Sequence, residues 1–160
     1  GYQHGYAIDI NALLEEALKD GLLQMCYKHD DFFFSHAGLT KTWVDNAFVG
    51  ATFDDVKPTI ETIEQDVNDL FKYKPTRFRF TMGDRFSNTG DDITQPPIWV
   101  RPVSLVSDMF EGIRCVVGHT TVKELGLNET LNKIILIDCL GTSEQYLVIE
   151  DGTPIAAKLI

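Results

Sequence analysis

The sequence predicts an α/β fold of the α+β kind, a mixed sheet with flanking helices, folded as one domain over residues 1–160. Three observations predict it. Val56, Ile60, Ile63, Val67 and Leu70 alternate spacings of four and three, which puts them on one face of a helix. Short apolar runs at 32–34, 113–117 and 133–137 have the length of buried strands. Segments 145–149 and 154–160 flank Asp151-Gly152, a dipeptide that favours hairpin turns.

Taken in order, residues 8–23 predict a helix. Ile10, Leu13, Leu14, Ala17 and Leu18 repeat at three and four, and Gly21 is its stop. Asp30 and Asp31 lead into the strand Phe32-Phe33-Phe34, which runs into Ser35-His36-Ala37-Gly38-Leu39. Thr40 is positioned to cap a short helix through Trp43 and Phe48. The longer helix should start near Asp54 as N-cap, with Pro58 in its first turn. Glu61, Glu64, Asp66 and Asp69 fall off its apolar stripe and read as a solvated face rather than a metal site. Residues 74–97 are irregular, with Pro75, Gly83, Asn88, Gly90, Asp91, Asp92, Pro96 and Pro97. Such a long loop is often functional. A short amphipathic piece is expected over 103–110.

Composition narrows the function classes. Hydrophobic residues make up 44% and charged residues 24%, the balance of a folded globular chain. The formal net charge of -10 disfavours a nucleic-acid partner, whose phosphates are bound by clustered Lys and Arg. An acidic protein that handles phosphate must concentrate positive charge locally, from metal ions or a few arginines. No apolar run reaches the roughly 18 residues of a membrane helix, and no leader pattern is visible, so a cytoplasmic location is expected. Cys26, Cys115 and Cys139 lack a C-x-x-C spacing and read as reduced thiols, Cys115 and Cys139 as core residues. The chain begins at Gly1 without methionine, which reads as an excised domain or as a cloning scar.

His36 and His119 share one setting. Each lies just past an apolar strand with a glycine nearby. Strand ends of this type are where α/β folds place their sites, and neutral imidazole is a good ligand for divalent transition metals. Each histidine is equally open to a structural, hydrogen-bonded reading. Only the fold can bring residues 36 and 119 together. His4 and His29 have no such setting, and His29 beside Asp30 and Asp31 reads as surface.

Four segments resemble the calcineurin-like metallophosphoesterases related to protein serine/threonine phosphatases. Phe33-Phe34-Ser35-His36-Ala37-Gly38-Leu39 is similar to their H-A-G element, and Cys115-Val116-Val117-Gly118-His119-Thr120 to their G-H-T element. Ile135-Leu136-Ile137-Asp138-Cys139-Leu140-Gly141 resembles the strand that follows, and Ile98-Trp99-Val100-Arg101-Pro102 the segment between the two histidine elements. The resemblance implies that His36 and His119 ligate one of two divalent metals (Mn, Fe, Zn or Ni). It implies that Arg101 holds the substrate phosphate, a task suited to a planar fork of donors. A surface salt bridge is the competing reading of Arg101. Asp138 would support nearby backbone rather than bind metal.

The family's first three blocks, D-x-H, G-D-x-x-D-R-G and G-N-H-[DE], are absent from the chain. Gly83-Asp84-Arg85 lies in the wrong order and lacks the remainder of the second block, so it reads as coincidence. The resemblance therefore implies the C-terminal half of a calcineurin-like αββα sandwich, a partial domain without its N-terminal metal-binding blocks. The parent would hydrolyse phosphomonoesters, phosphoproteins or nucleotide phosphates with a metal-activated hydroxide. This segment alone would hold no complete catalytic set, bind metal weakly or not at all, and be inactive. Uncovered sheet would favour a homo-oligomer or strand exchange. The alternative is a non-catalytic protein-binding domain.

Overall fold

The computed structural model describes residues 4–51, 56–80, 90–127 and 133–158. The apolar runs form strands as expected, β2 (Phe32–Ser35), β3 (Arg114–Val117) and β4 (Ile134–Leu136), and a strand outside those runs, β1 (Cys26–His29), precedes them. They hydrogen-bond in the order β1-β2-β3-β4. β1 and β2 are antiparallel across a tight turn in which Asp30 takes a left-handed φ of 52°, a conformation that Asp tolerates better than most residues. β2 with β3 and β3 with β4 are parallel, so the sheet is mixed and the α+β class holds.

Side chains alternate across this sheet. Phe33, Cys115, Val117 and Ile134 face a core built with α2 (Lys41–Ala47), α3 (Ile63–Tyr73) and α4 (Pro102–Ser107). Trp43, Val44 and Ala47, then Ile63, Val67 and Leu70, and finally Leu105 are the buried residues these helices contribute. Phe32, Val116 and Ile135 face the other way, onto Leu147 and Ile149. Those two belong to the hairpin of β5 (Gln145–Glu150) and β6 (Thr153–Lys158), which turns at Asp151 and Gly152 with φ of 48° and 73°. All three cysteines are free and buried. No helix among the described residues is long and apolar enough to cross a membrane.

Thr40 caps α2 as the sequence indicates. Its buried hydroxyl accepts from the Trp43 N–H at 3.3 Å and donates to the Ile93 carbonyl at 2.7 Å. Thr40→Ala removes a cap and leaves the Ile93 carbonyl without this donor. It is expected to cost about 1–2 kcal/mol in urea unfolding, with Thr40→Ser keeping most of the stability. Equal damage from both substitutions would exclude the hydroxyl as the cause.

One expectation is corrected. The long helix does not enclose Pro58. It starts at Ile63, five residues later in sequence, and Val56 is exposed. Local hydroxyl chemistry holds the chain in a turn instead: the Thr59 N–H donates to Thr62 Oγ1 at 3.0 Å, and Thr59 Oγ1 to Glu61 Oε2 at 2.7 Å. Thr side chains that bond nearby backbone compete with helix formation in this way. The supposed cap Asp54 and the Gly83-Asp84-Arg85 segment lie outside the described residues. The first helix does form, as α1 (Ala7–Lys19) ahead of Gly21 at φ 72°, but none of its residues is buried. Its apolar stripe is real and exposed, with Ile8 at 83% and Leu13 at 66%.

Candidate functional site

His36 and His119 meet. Nε2 of His36 lies 3.0 Å from Nδ1 of His119, and the ring centroids are 4.8 Å apart. The sheet explains why. Parallel pairing sets Ser35 beside Val117 at the C-terminal ends of β2 and β3. His36 follows Ser35 directly, and His119 follows Gly118 after Val117. The Gly118 N–H continues the ladder by donating to the His36 carbonyl at 3.0 Å. Neighbouring parallel strands thus deliver both imidazoles to one spot, the strand-end position at which open α/β sheets bind ligands.

Each histidine loop is held from several sides. Ser35 Oγ accepts from the Gly38 N–H at 3.0 Å, and the Ala37 N–H donates to the Pro97 carbonyl at 2.7 Å. Gly38 sits at φ 111° against Leu105. His119 has a φ of 60°, unusual for a residue with a Cβ. The Thr120 N–H reaches back to the Gly118 carbonyl at 2.6 Å and closes a three-residue turn centred on His119. Arg101 Nη1 clamps that turn by donating to the His119 carbonyl at 3.0 Å and to Thr120 Oγ1 at 3.3 Å. Asp138 steadies the next residues: its carboxylate accepts from Thr121 Oγ1 at 3.3 Å and its carbonyl from the Val122 N–H at 2.9 Å. That is the backbone support expected of it.

Burial pulls the His119 pKa below the ordinary imidazole range, and the positive charge of Arg101 and the proximity of His36 push it the same way. The Trp99 carbonyl and Asp138 oppose this. The ring is therefore neutral at pH 7, the form that donates a lone pair to a metal. Nε2 of His119 is buried with no standard hydrogen bond, and the Trp99 ring lies 5.6 Å away, centroid to centroid. Nε1 of Trp99 is likewise buried without a hydrogen-bond partner among the described residues.

A metal is compatible with half of this arrangement. Two nitrogens at about 2.1 Å from one ion, at roughly a right angle, stand about 3.0 Å apart, the spacing of the imidazole pair. The same spacing suits an N–H···N hydrogen bond. No group of three or more His, Cys, Asp or Glu side chains placed to hold an ion occurs among the described residues. The pair thus offers two donors and no carboxylate. The guanidinium of Arg101, at the N-terminus of α4, stands 6.0 Å from the Trp99 ring. No carboxylate pairs with it among the described residues. His29 is on the surface, 3.8 Å from Asp30.

Sequence reasoning singled out His36, His119, Arg101 and Asp138. It missed the part of Trp99, whose ring packs on His119, and of Asp91, whose carboxylate holds the Arg101 backbone. No residue pattern marks either contact.

No family model matches the chain, and no curated protein matches it. Among solved structures, a cold-active protein-tyrosine phosphatase of the psychrophile Shewanella sp. aligns with it at 17% identity and a TM-score of 0.48. The alignment covers 84% of this chain and 40% of that one, so the chain spans well under half the length of the aligned protein.

Proposed function

We propose that this chain carries the second half of a metal-dependent phosphoesterase site, acting on phosphomonoesters, phosphoproteins or nucleotide phosphates in a longer cytoplasmic parent. The observation that supports this most is the approach of His36 Nε2 to His119 Nδ1, 3.0 Å, beside an arginine with no carboxylate partner among the described residues. In this reading His36 and His119 hold one divalent ion and Arg101 grips the phosphate. A pair of divalent ions supplies Lewis acidity toward a phosphoryl oxygen when bound. The chain's own residues orient and bind. The strand ends set the imidazoles, the His119 turn presents a neutral ring, and Arg101 offers paired donors to an oxyanion.

A cysteine-based phosphatase fits less well. That chemistry needs an exposed, low-pKa thiolate. Burial pushes the Cys26 and Cys115 thiols up to about 12, and Cys139 is fully buried.

Two imidazoles without a carboxylate make a weak site. In this chain Mn²⁺ at millimolar concentration is expected to broaden the ring signals of His36 and His119 together in proton NMR and to spare His29. His36→Ala should remove the broadening at His119. Isothermal titration should give no sub-micromolar affinity, and p-nitrophenyl phosphate should not be hydrolysed. Unchanged histidine signals would exclude the metal reading, and tight binding or turnover would exclude the half-site reading.

The exposed stripe of α1, Ile8 and Leu13 included, favours a second reading, a surface for a protein partner or a second copy. Sedimentation at high concentration is expected to show self-association. A clean monomer counts against the second copy.

A further inference from the structure

We propose that Asp91 is the positioning residue for Arg101 and thereby sets the affinity of the site for phosphate-like oxyanions; this rests on the reading of Arg101 as the phosphate-gripping residue.

Arg101 occupies the N-cap of α4. That place is usually taken by Ser, Thr, Asp or Asn, whose side-chain oxygen folds back onto the first-turn N–H groups. Arginine has no acceptor, and its side chain makes no capping bond. Pro102, the next residue, brings no N–H. The missing acceptor comes from the preceding loop. Asp91 Oδ1 accepts from the Arg101 N–H at 2.8 Å, and Oδ2 accepts from the Ser104 N–H at 3.3 Å. One carboxylate, ten residues upstream, thus serves as the cap that Arg101 cannot supply.

This borrowed cap has a consequence for the side chain. Asp91 grips Arg101 by its backbone, and among the described residues it forms no salt bridge with the guanidinium. The Arg101 backbone is fixed while its side chain turns away toward the His119 carbonyl and Thr120 Oγ1. Only Nη1 is engaged there, so the fork keeps its charge and further donors beside the histidine pair. A carboxylate placed on the guanidinium would cancel the charge an anion needs. Placed on the backbone, it orders the arginine without competing for it.

The test uses tungstate as a phosphate mimic, added to the whole chain and followed through the indole N–H signal of Trp99 and the Nε–H signal of Arg101. The wild type is expected to respond in a saturable way. Arg101→Ala should abolish the response. Asp91→Ala should weaken the affinity about ten-fold, and Asp91→Asn, which keeps an oxygen for the Arg101 N–H, should recover most of it. Arg114→Met, which loses stability at the end of β3 opposite His119, should bind like the wild type. No response in the wild type, or a response that survives Arg101→Ala, overturns the reading of Arg101 itself. Loss in Arg101→Ala with full affinity in Asp91→Ala overturns the role of Asp91 alone. An equal loss in Asp91→Asn and Asp91→Ala, or in Arg114→Met, also overturns it.

Discussion

Replacing Gly38 with alanine is expected to destabilise the protein by about 3–5 kcal/mol, a large part of what a domain of this size has. Two effects combine. The φ of 111° lies where side-chain-bearing residues are strained. A Cβ would also stand 2.3 Å from Leu105 Cδ2 and 2.8 Å from Cδ1. Leu105 is fully buried among the helices and has nowhere to retreat. Because Gly38 is two residues from His36, relief of the clash should also spread the histidine pair.

Urea unfolding measures the stability loss, and the His36 ring signals report the displacement. The double variant Gly38→Ala with Leu105→Ala separates the causes. Removing the leucine branches relieves the clash and leaves the φ strain, so the two losses should fall short of additive by more than about 1 kcal/mol. A loss below about 1 kcal/mol in Gly38→Ala, or strict additivity, would refute the argument.

This glycine also illustrates what was legible in the sequence. Its place after Ser35-His36-Ala37 marked a site, but the reason for a glycine is tertiary: Leu105 of α4 fills the space a Cβ would take. β2, β3 and β4 were legible because short apolar runs between turn residues have few alternatives, whereas β1 carries no such run and was missed. The hairpin at Asp151-Gly152 was legible because both positions take left-handed φ. The helix over 56–70 was misread at its start. Apolar period marks a face but does not fix an end, and Thr59 with Thr62 bonded locally before Ile63. The stripe on α1 was read correctly as helix, yet periodicity does not say whether a face is covered.

The histidines were legible as a matched pair but not as neighbours. Their approach depends on β2 and β3 pairing in parallel with Ser35 beside Val117, a long-range register that no local pattern encodes. Asp91 was not legible at all as a site residue. Its bonds go to backbone N–H groups, which every residue but proline carries, so spacing in sequence gives no cue.

At the opposite end of the strands, replacing Arg114 with methionine is expected to cost about 2 kcal/mol at neutral pH, with roughly half from the half-exposed ion pair and half from the ring contact. Arg114 opens β3 and joins three segments. Its Nε and Nη2 each donate to the Asp31 carboxylate at 2.6 Å, in the turn between β1 and β2. Nη2 also donates to the Gly152 carbonyl at 3.2 Å, at the tip of the β5–β6 hairpin. The guanidinium carbon lies 3.8 Å from the centroid of the buried Phe32 ring. Hydrogen bonding to Arg114 holds the Asp31 carboxyl below its usual range, with burial opposing. A depressed folded-state pKa gives stability that is present above the ordinary carboxylate pKa, about 4, and is lost as pH falls through the folded value. The gap between wild type and Arg114→Met should therefore be widest near pH 7 and narrow in acid, leaving the part due to the ring contact. Asp31→Asn should remove the same acid-sensitive part while keeping the contact with Phe32. Urea midpoints from pH 7 down to pH 3 measure both, and amide exchange at the hairpin turn should quicken in Arg114→Met. A gap that does not change with pH would show that the pair with Asp31 contributes nothing, and that Arg114 holds the hairpin through Phe32 and Gly152 alone.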